Sequence, residues 1–262
     1  PKVGKIYQGD TIETMRKWPD GIFDHCITDP PYNMSKKKGL GWAFSSHITM
    51  EEEWDIFSKD EYLHFTLQWL SEVCRLVKDN GNIFIFGSYH NIYTIGFVLQ
   101  ELDRRIINSI VHCKTNPQPN ITARMLTEST EQIIWVCNNT AKKASHWTFN
   151  YQVAKDIGGG KQLKNYWVLP YTPKSEKQFG KQPTQKPESI IDRLIRIGTN
   201  EGDVILDCFA GSGTTGIVAE RLSRQWVMIE KEKDYIKIAK KRLKSQQQEG
   251  YPLQLPIQSK RT

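Results

Sequence analysis

Apolar residues follow two alternating patterns along this chain. Short continuous apolar runs predict strands at 4–7, 23–28, 82–87, 105–112, 132–137, 204–207 and 225–230. Apolar positions three or four residues apart predict helices at 11–18, 60–76, 93–103, 187–198 and 233–243, and another that ends near 222. Strands that alternate with helices predict an α/β fold with a doubly wound, mixed but mainly parallel sheet. Ligands of such sheets bind outside the carboxyl ends of the strands.

Two stretches interrupt this alternation. Residues 33–55 mix Gly, Ser and Lys with aromatics without a clear period, which predicts a long loop. From 114 to 181 Pro, Asn, Lys and aromatic residues dominate, which predicts an insertion or small subdomain. We therefore divide the chain into one half of the core (1–115), an inserted region (116–180, with a core strand near 132–137 interleaved), the second half of the same core (181–245) and a polar tail (246–262).

Composition narrows the class of protein. The chain has 262 residues, enough for one large α/β domain, and no apolar run approaches the roughly 20 residues that span a bilayer. The amino terminus lacks the pattern of a secretion signal, although a chain that begins at Pro1 leaves a trimmed start open. Five scattered cysteines predict free thiols in a reducing cytoplasm and no metal site. The net charge of +7 suits a polyanionic partner such as nucleic acid.

A glycine turn follows the strand at 204–207. That strand ends in Asp207, then Gly211 and Gly213 open a helix, and the next strand ends in Glu230. Glycines let the backbone approach a ligand, the helix start offers free N–H groups, and a carboxylate can hold a ribose diol. Because the spacing Gly211-x-Gly213-x-x-Gly216 also fits a dinucleotide fingerprint, a nicotinamide-dependent oxidoreductase stays open at this point.

A second motif, Asp29-Pro30-Pro31-Tyr32, follows the strand at 23–28. An exocyclic amino group of a base is a poor nucleophile, because its lone pair is delocalised into the ring. To attack a methyl sulfonium it needs acceptors for its N–H bonds, and the Asp29 carboxylate and the Pro30 carbonyl can supply them. Tyr32 offers a flat face for a base extruded from the stack. Together with the glycine turn, this motif favours a methyltransferase.

In these two motifs the chain resembles the amino-group DNA methyltransferases of restriction–modification systems, whose signatures DPPY and FxGxG stand here at 29–32 and 209–213. The catalytic motif precedes the cofactor motif, as in the permuted group usually called β-class. The resemblance covers nearly the whole chain. It implies a Rossmann-like methyltransferase fold, S-adenosylmethionine as cofactor, DNA as partner, and a target-recognition region at 116–180.

The resemblance also implies roles for individual residues. Asp10 matches an amino-terminal acidic segment of the group and Lys186 a segment that contacts the cofactor. The expected catalytic residues are Asp29, Pro30 and Tyr32. The expected cofactor-binding residues are Asp10, Asp29, Lys186, Asp207, Phe209, Gly211, Gly213, Thr214 and Glu230. The expected DNA contacts are Lys114, Asn116 and Arg124, for which a solvated basic loop is the alternative, and Lys161 and Lys164, which lie among aromatic residues.

The expected reaction is methylation of adenine N6 in DNA, because the resemblance implies that Asp at the first motif position goes mostly with adenine enzymes and Ser with N4-cytosine enzymes. N4-cytosine methylation is the main alternative, and an oxidoreductase or a DNA-binding protein without catalysis are others. No Pro-Cys dipeptide is present, which excludes the usual cytosine C5 chemistry. Residues 83–131 look similar to the second, smaller adenine methyltransferases of GATC-type systems. We expect a cytoplasmic protein acting at the prokaryotic nucleoid, and a homodimer and a cognate endonuclease without stable association stay open.

Overall fold

Eight strands form one sheet in the computed structural model, which describes residues 1–32, 58–117, 119, 123–140, 142–180 and 182–249. The strands are β1 (Lys5–Gln8), β2 (His25–Thr28), β3 (Asn82–Gly87), β4 (Arg104–Lys114), β5 (Thr130–Thr140), β6 (Tyr166–Leu169), β7 (Val204–Asp207) and β8 (Gln225–Glu230). Their order across the sheet is β1-β8-β7-β2-β3-β5-β4-β6.

The direction of the strands decides which residues meet. Every neighbouring pair is parallel except the two pairs that include β5, which is antiparallel to both β3 and β4. The carboxyl ends of seven strands therefore share one edge of the sheet with the amino end of β5. We call this edge, which contains Thr28, Asp207, Glu230 and Glu131, the carboxyl edge.

Seven α-helices cover the sheet in the described part of the chain: α1 (Thr11–Met15), α2 (Lys59–Leu76), α3 (Ile92–Glu101), α4 (Tyr151–Ile157), α5 (Glu188–Gly198), α6 (Thr214–Arg221) and α7 (Lys233–Glu249). Apolar residues of α1, α2 and α3 pack in one core, and those of α4, α5 and α6, with Leu243 of α7, pack in a second core. Two separate cores, one for each group of helices, are the arrangement of a doubly wound sheet.

The predicted fold class is confirmed, and most predicted elements appear within a few residues of their expected bounds. The inserted region is the main difference. It was expected to stand apart from the core, but β6 pairs with β4 as the edge strand and buries Trp167. The first four residues of the predicted polar tail continue α7, which ends at Glu249. The predicted loop at 33–55 and the rest of the tail lie outside the described residues.

None of the helices in the described residues is long and apolar enough to cross a membrane. Within the same residues no group of three or more His, Cys, Asp or Glu side chains could hold a metal ion.

Candidate active site

Three acidic residues meet at the carboxyl edge because their strands are parallel neighbours. Asp29 directly follows β2, Asp207 ends β7 and Glu230 ends β8. A fourth acid, Glu131, arrives from β5, which runs the opposite way. The edge thus collects carboxylates from both the catalytic and the glycine motif.

Asp29 is anchored through one oxygen, and the neighbouring Tyr32 hydroxyl also favours its ionised form. Its Oδ2 lies 2.7 Å from the Nζ of Lys186, and both side chains are largely buried. Its Oδ1 is buried, and no described residue forms a hydrogen bond with it. Burial raises the pKa of the Asp29 carboxyl above its ordinary value, against the opposing charge of Lys186. Asp29 therefore has one anchored oxygen and one oxygen that can accept a new donor.

Lys186 stands between two carboxylates. Its Nζ also contacts Oε1 of Glu131 at 3.1 Å and donates to the Tyr32 hydroxyl at 2.9 Å. Burial would lower the pKa of Lys186, but the carboxylates of Asp29 and Glu131 raise it above its ordinary value. The sequence predicts Lys186 as a cofactor ligand, and this role stays a prediction; Lys186 lines the cleft, and its ammonium is bonded to the predicted catalytic carboxylate.

The loop around the two prolines is fixed by neighbouring helices. The Pro31 carbonyl accepts from the Tyr62 hydroxyl at 2.7 Å and from Asn91 at 3.4 Å. No described residue donates to the carbonyl of Pro30, the predicted second acceptor. The sequence predicts an open face on Tyr32, but this residue is only 9% exposed and its hydroxyl donates to Glu131 at 3.1 Å. A base could stack only on an exposed face of this ring, and the structure does not expose such a face.

The glycine turn has the conformation that its residues predict. Gly211 and Gly213 have φ angles of 51° and 80°, in the left-handed region that other residues rarely adopt, and Gly213 caps α6. A Cβ on Gly211 would collide with the side chain of Gln182, whose Oε1 accepts from Ser212 N at 2.9 Å. The segment before α5 therefore packs directly on the turn.

Asp207 connects the two motifs. Its Oδ1 accepts from the Thr28 hydroxyl at 3.0 Å, next to Asp29, and from Phe209 N at 3.1 Å. Burial raises the pKa of Asp207 to about 7, although these hydrogen bonds oppose the rise. A carboxyl in such a place favours a positively charged neighbour.

Glu230 and Asp10 lie side by side at the ends of β8 and β1. Glu230 accepts one backbone N–H on each oxygen, from Gly211 at 2.6 Å and from Glu232 at 2.8 Å. Each oxygen keeps a lone pair for another donor. Asp10 caps α1 by accepting from Glu13 N at 3.0 Å, and it is exposed.

A cleft at the carboxyl edge lies between the catalytic loop and the glycine turn. Among its lining residues are Asp29, Lys186, Asp207, Phe209 and Thr214. The lining carries two carboxyl groups with raised pKa values and one ammonium, and a ligand with a sulfonium charge would favour the ionised form of both carboxyls. The lone pairs of Glu230 beside the cleft suit hydroxyl groups, so the residues present fit S-adenosylmethionine.

The predicted DNA contacts fall into two places. Lys114 ends β4 at the carboxyl edge, and the side chain of Asn116, just beyond it, accepts from Tyr171 N at 3.2 Å. Arg124 is exposed in the segment between β4 and β5. Lys161 and Lys164 are exposed but precede β6, where Asn165 bonds to Asn108, about 20 Å of strand from Lys114. The structure does not bring these two lysines to the carboxyl edge, and their role stays a prediction.

Glu131 is the site residue that sequence reasoning missed. Sequence reasoning looks for ligand-binding residues just after predicted strands, and Glu131 comes just before one. Glu131 reaches the site because β5 is antiparallel, which places the first residues of this strand beside Asp29 and Lys186.

Comparison with known proteins agrees with this geometry. The family model described as "DNA methylase" matches residues 23–241. The chain is 42% identical over 243 residues to the Type II methyltransferase M2.DpnII of Streptococcus pneumoniae, covering 92% of this chain and 90% of that one. It is 40% identical over 241 residues to the Type II methyltransferase M2.MboI of Moraxella bovis, covering 90% and 86%.

Solved structures support the same fold. The M1.HpyAVI–SAM complex has a TM-score of 0.67 at 29% identity, with 91% of this chain and 98% of that chain covered. The cytosine-N4-specific PvuII DNA methyltransferase, at 18% identity, has a TM-score of 0.71, with 92% and 86% covered, and shows the fold alone. These matches remove the oxidoreductase alternative that the glycine spacing left open. With its paired motifs on one edge of a Rossmann-like sheet, the chain belongs to the DNA methylase family.

Proposed function

We propose that this methyltransferase transfers the methyl group of S-adenosylmethionine to N6 of an adenine that is flipped out of DNA. The observation that carries the proposal is the state of Asp29, whose Oδ2 is anchored by Lys186 while its Oδ1 is buried and unbonded among the described residues. Asp29 lines the same cleft as Asp207, Phe209 and Thr214 of the glycine motif. The acceptor for the amino group and the residues for the cofactor thus share one cleft.

The chain's own groups account for the chemistry. Asp29 Oδ1 accepts one N–H of the target amino group, and the Pro30 carbonyl is the proposed acceptor of the second. These bonds let the nitrogen become pyramidal, so that its lone pair forms the new N–C bond. Bound S-adenosylmethionine supplies the methyl group, and the electrons of the broken C–S bond stay on sulfur. The methylated nitrogen then passes one proton to the Asp29 carboxylate that accepts its N–H, and from there to solvent, which restores the neutral amine.

The remaining proposed ligands surround this centre. Glu230 is the proposed acceptor of the ribose hydroxyls, since each of its oxygens has a lone pair left. Gly211 and Gly213 of the glycine turn, Thr214 at the start of α6 and the exposed Asp10 are proposed to contact the cofactor. Lys114, Asn116 and Arg124 are proposed to contact DNA beside the carboxyl edge.

Adenine is proposed over cytosine because Asp stands first in the catalytic motif. The test is to react the enzyme with mixed-sequence DNA and labelled cofactor, digest the product to nucleosides, and identify the labelled species by mass. We expect label on deoxyadenosine. Label on deoxycytidine alone would refute the adenine proposal and support N4-cytosine methylation by the same cleft.

A GATC-type target is also proposed, from the similarity of residues 83–131 to the second methyltransferases of such systems. The relatives named M2 support membership in a multi-enzyme Type II system. We further propose the permuted order of the β-class, cytoplasmic action on DNA, a homodimer, and a cognate endonuclease that does not bind stably. Sequencing of methylated DNA from cells that express the protein tests the target, and a consensus other than GATC would exclude it.

A further inference from the structure

Glu131 joins two predicted functional residues through one oxygen. Its Oε1 accepts from the Tyr32 hydroxyl at 3.1 Å and from the Lys186 ammonium at 3.1 Å. Its Oε2 faces His112 Nδ1 at 3.8 Å. The Glu131 side chain is about 10% exposed, so these contacts are made almost out of water. Glu131 belongs to neither of the two sequence motifs.

The position of Lys186 depends on both carboxylates. The ammonium lies between Asp29 Oδ2 at 2.7 Å and Glu131 Oε1 at 3.1 Å, and it also reaches the Tyr32 hydroxyl at 2.9 Å. A lysine ammonium has three donors, and a fourth and longer contact, to the Thr184 carbonyl at 3.4 Å, leaves none of them free. Lys186 therefore cannot turn toward Asp29 Oδ1 without giving up one of these bonds.

We propose that Glu131 is a positioning residue for methyl transfer: it holds Lys186 and Tyr32 in place so that Asp29 Oδ1 stays open for the amino group of the base. The proposal rests on the catalytic role proposed above for Asp29. Glu131 also shares the charge of Lys186, which leaves the Asp29 carboxylate a stronger acceptor than it would be in a pair with Lys186 alone. Its bond to the Tyr32 hydroxyl fixes the orientation of the ring.

Charged groups from several elements surround Asp29. Lys186 comes from the segment before α5, Glu131 from β5 and Asp207 from β7, while His112 and Lys114 of β4 act on Glu131. Burial would raise the pKa of Glu131, but Lys186, His112 and Lys114 hold it well below its ordinary value. Glu131 therefore stays ionised, and its charge adds to the raised pKa of Asp29.

The test replaces Glu131 with glutamine, which keeps the size of the side chain and removes its charge. We expect the single-turnover methylation rate of Glu131→Gln to fall about ten- to a hundredfold, while the Kd values for cofactor and DNA change less than about threefold. Without the neighbouring negative charge the pKa of Asp29 falls, so the acidic limb of the pH–rate profile should move to lower pH. A loss of packing alone would not move that limb.

Two further variants make the result decisive. Glu101→Gln changes an exposed glutamate at the end of α3 and should behave as wild type. Glu131→Asp keeps the charge but withdraws the carboxylate, so we expect a lower rate with the wild-type pH profile. If Glu131→Gln fails to fold, Glu131→Asp alone still tests the proposal through its methylation rate. A wild-type rate and profile in both Glu131 variants would overturn the proposal.

The failure of the proposed function has a different signature. If Asp29→Ala kept full single-turnover activity, the catalytic role of Asp29 would be wrong, and the role of Glu131 would fall with it. If Asp29→Ala were inactive while the Glu131 variants matched wild type, only the role of Glu131 would be overturned.

Discussion

Replacement of Lys186 with methionine removes the only described ammonium within hydrogen-bonding reach of Asp29 and Glu131. Methionine fills a similar space, so the change leaves two buried carboxyl groups facing one place without their cation. Removal of one partner of a buried ion pair costs about 3–5 kcal/mol, chiefly because the remaining charge is left uncompensated. The Lys186 side chain is 8% exposed, which places the pair in that class.

The cost should depend on pH in a definite direction. Lys186 lowers the pKa of Asp29, so its loss raises the pKa of Asp29 in the folded protein further above the unfolded value. A raised folded pKa stabilises the folded state below the unfolded pKa, and that contribution disappears as the pH rises through the folded pKa. Lys186→Met should therefore lose less stability at pH 5.5, where one carboxyl takes up a proton, than at pH 8.0.

The assay is urea unfolding followed by tryptophan fluorescence at both pH values. Lys17→Met, at an exposed lysine, is the control and should change the free energy of unfolding by less than about 0.5 kcal/mol. The double variant Lys186→Met/Glu131→Gln restores the charge balance, so it should be more stable than Lys186→Met at pH 8.0. Two results would refute the buried cluster of charges. One is an equal loss in the free energy of unfolding of Lys186→Met at the two pH values. The other is a double variant whose loss equals the sum of the losses of the two single variants.

Three other perturbations test the site. Glu230→Ala should raise the cofactor Kd about ten- to a hundredfold, because two hydroxyls lose a charged acceptor; an unchanged Kd in calorimetry would place the ribose elsewhere. Asp207→Asn removes a carboxyl whose pKa is raised to about 7. Because this carboxyl destabilises the wild-type protein as the pH rises, the free energy of unfolding of the variant in urea, relative to wild type, should increase by about 1–3 kcal/mol between pH 5 and pH 8. A pH-independent difference would contradict the raised pKa. Lys114→Ala should reduce the slope of log affinity for DNA against log salt by about one, and Lys161→Ala by less; equal reductions in fluorescence anisotropy titrations would mean that DNA also reaches the far end of β6.

Asp29, Asp207 and Glu230 could be predicted from the sequence because each follows or ends an apolar strand. In a parallel sheet such ends share an edge, so position along the chain was enough to bring them together. The left-handed glycines were predictable for a similar reason, since a tight strand-to-helix turn requires them.

The position of Glu131 and the ion pair between Lys186 and Asp29 could not be predicted from where strands end. The apolar run after Glu131 does not reveal whether the strand is parallel or antiparallel, and only the antiparallel direction brings its first residues to the site. The bond between Lys186 and Asp29 joins residues that are far apart in the sequence and depends on how α5 packs. β6 was missed because it has only four residues, half of them exposed, and belongs to a polar region.

The strand order has a consequence for how the protein forms. β1 pairs only with β8 among the described strands, and β7 and β8 lie between β1 and β2. During synthesis β1 must therefore wait for β8 before it gains this neighbour. A nascent chain that ends before β7 leaves one side of β2, and with it Asp29, without its flanking strand. A chain that lacks β7 and β8 therefore has the catalytic loop without the strands that carry Asp207 and Glu230.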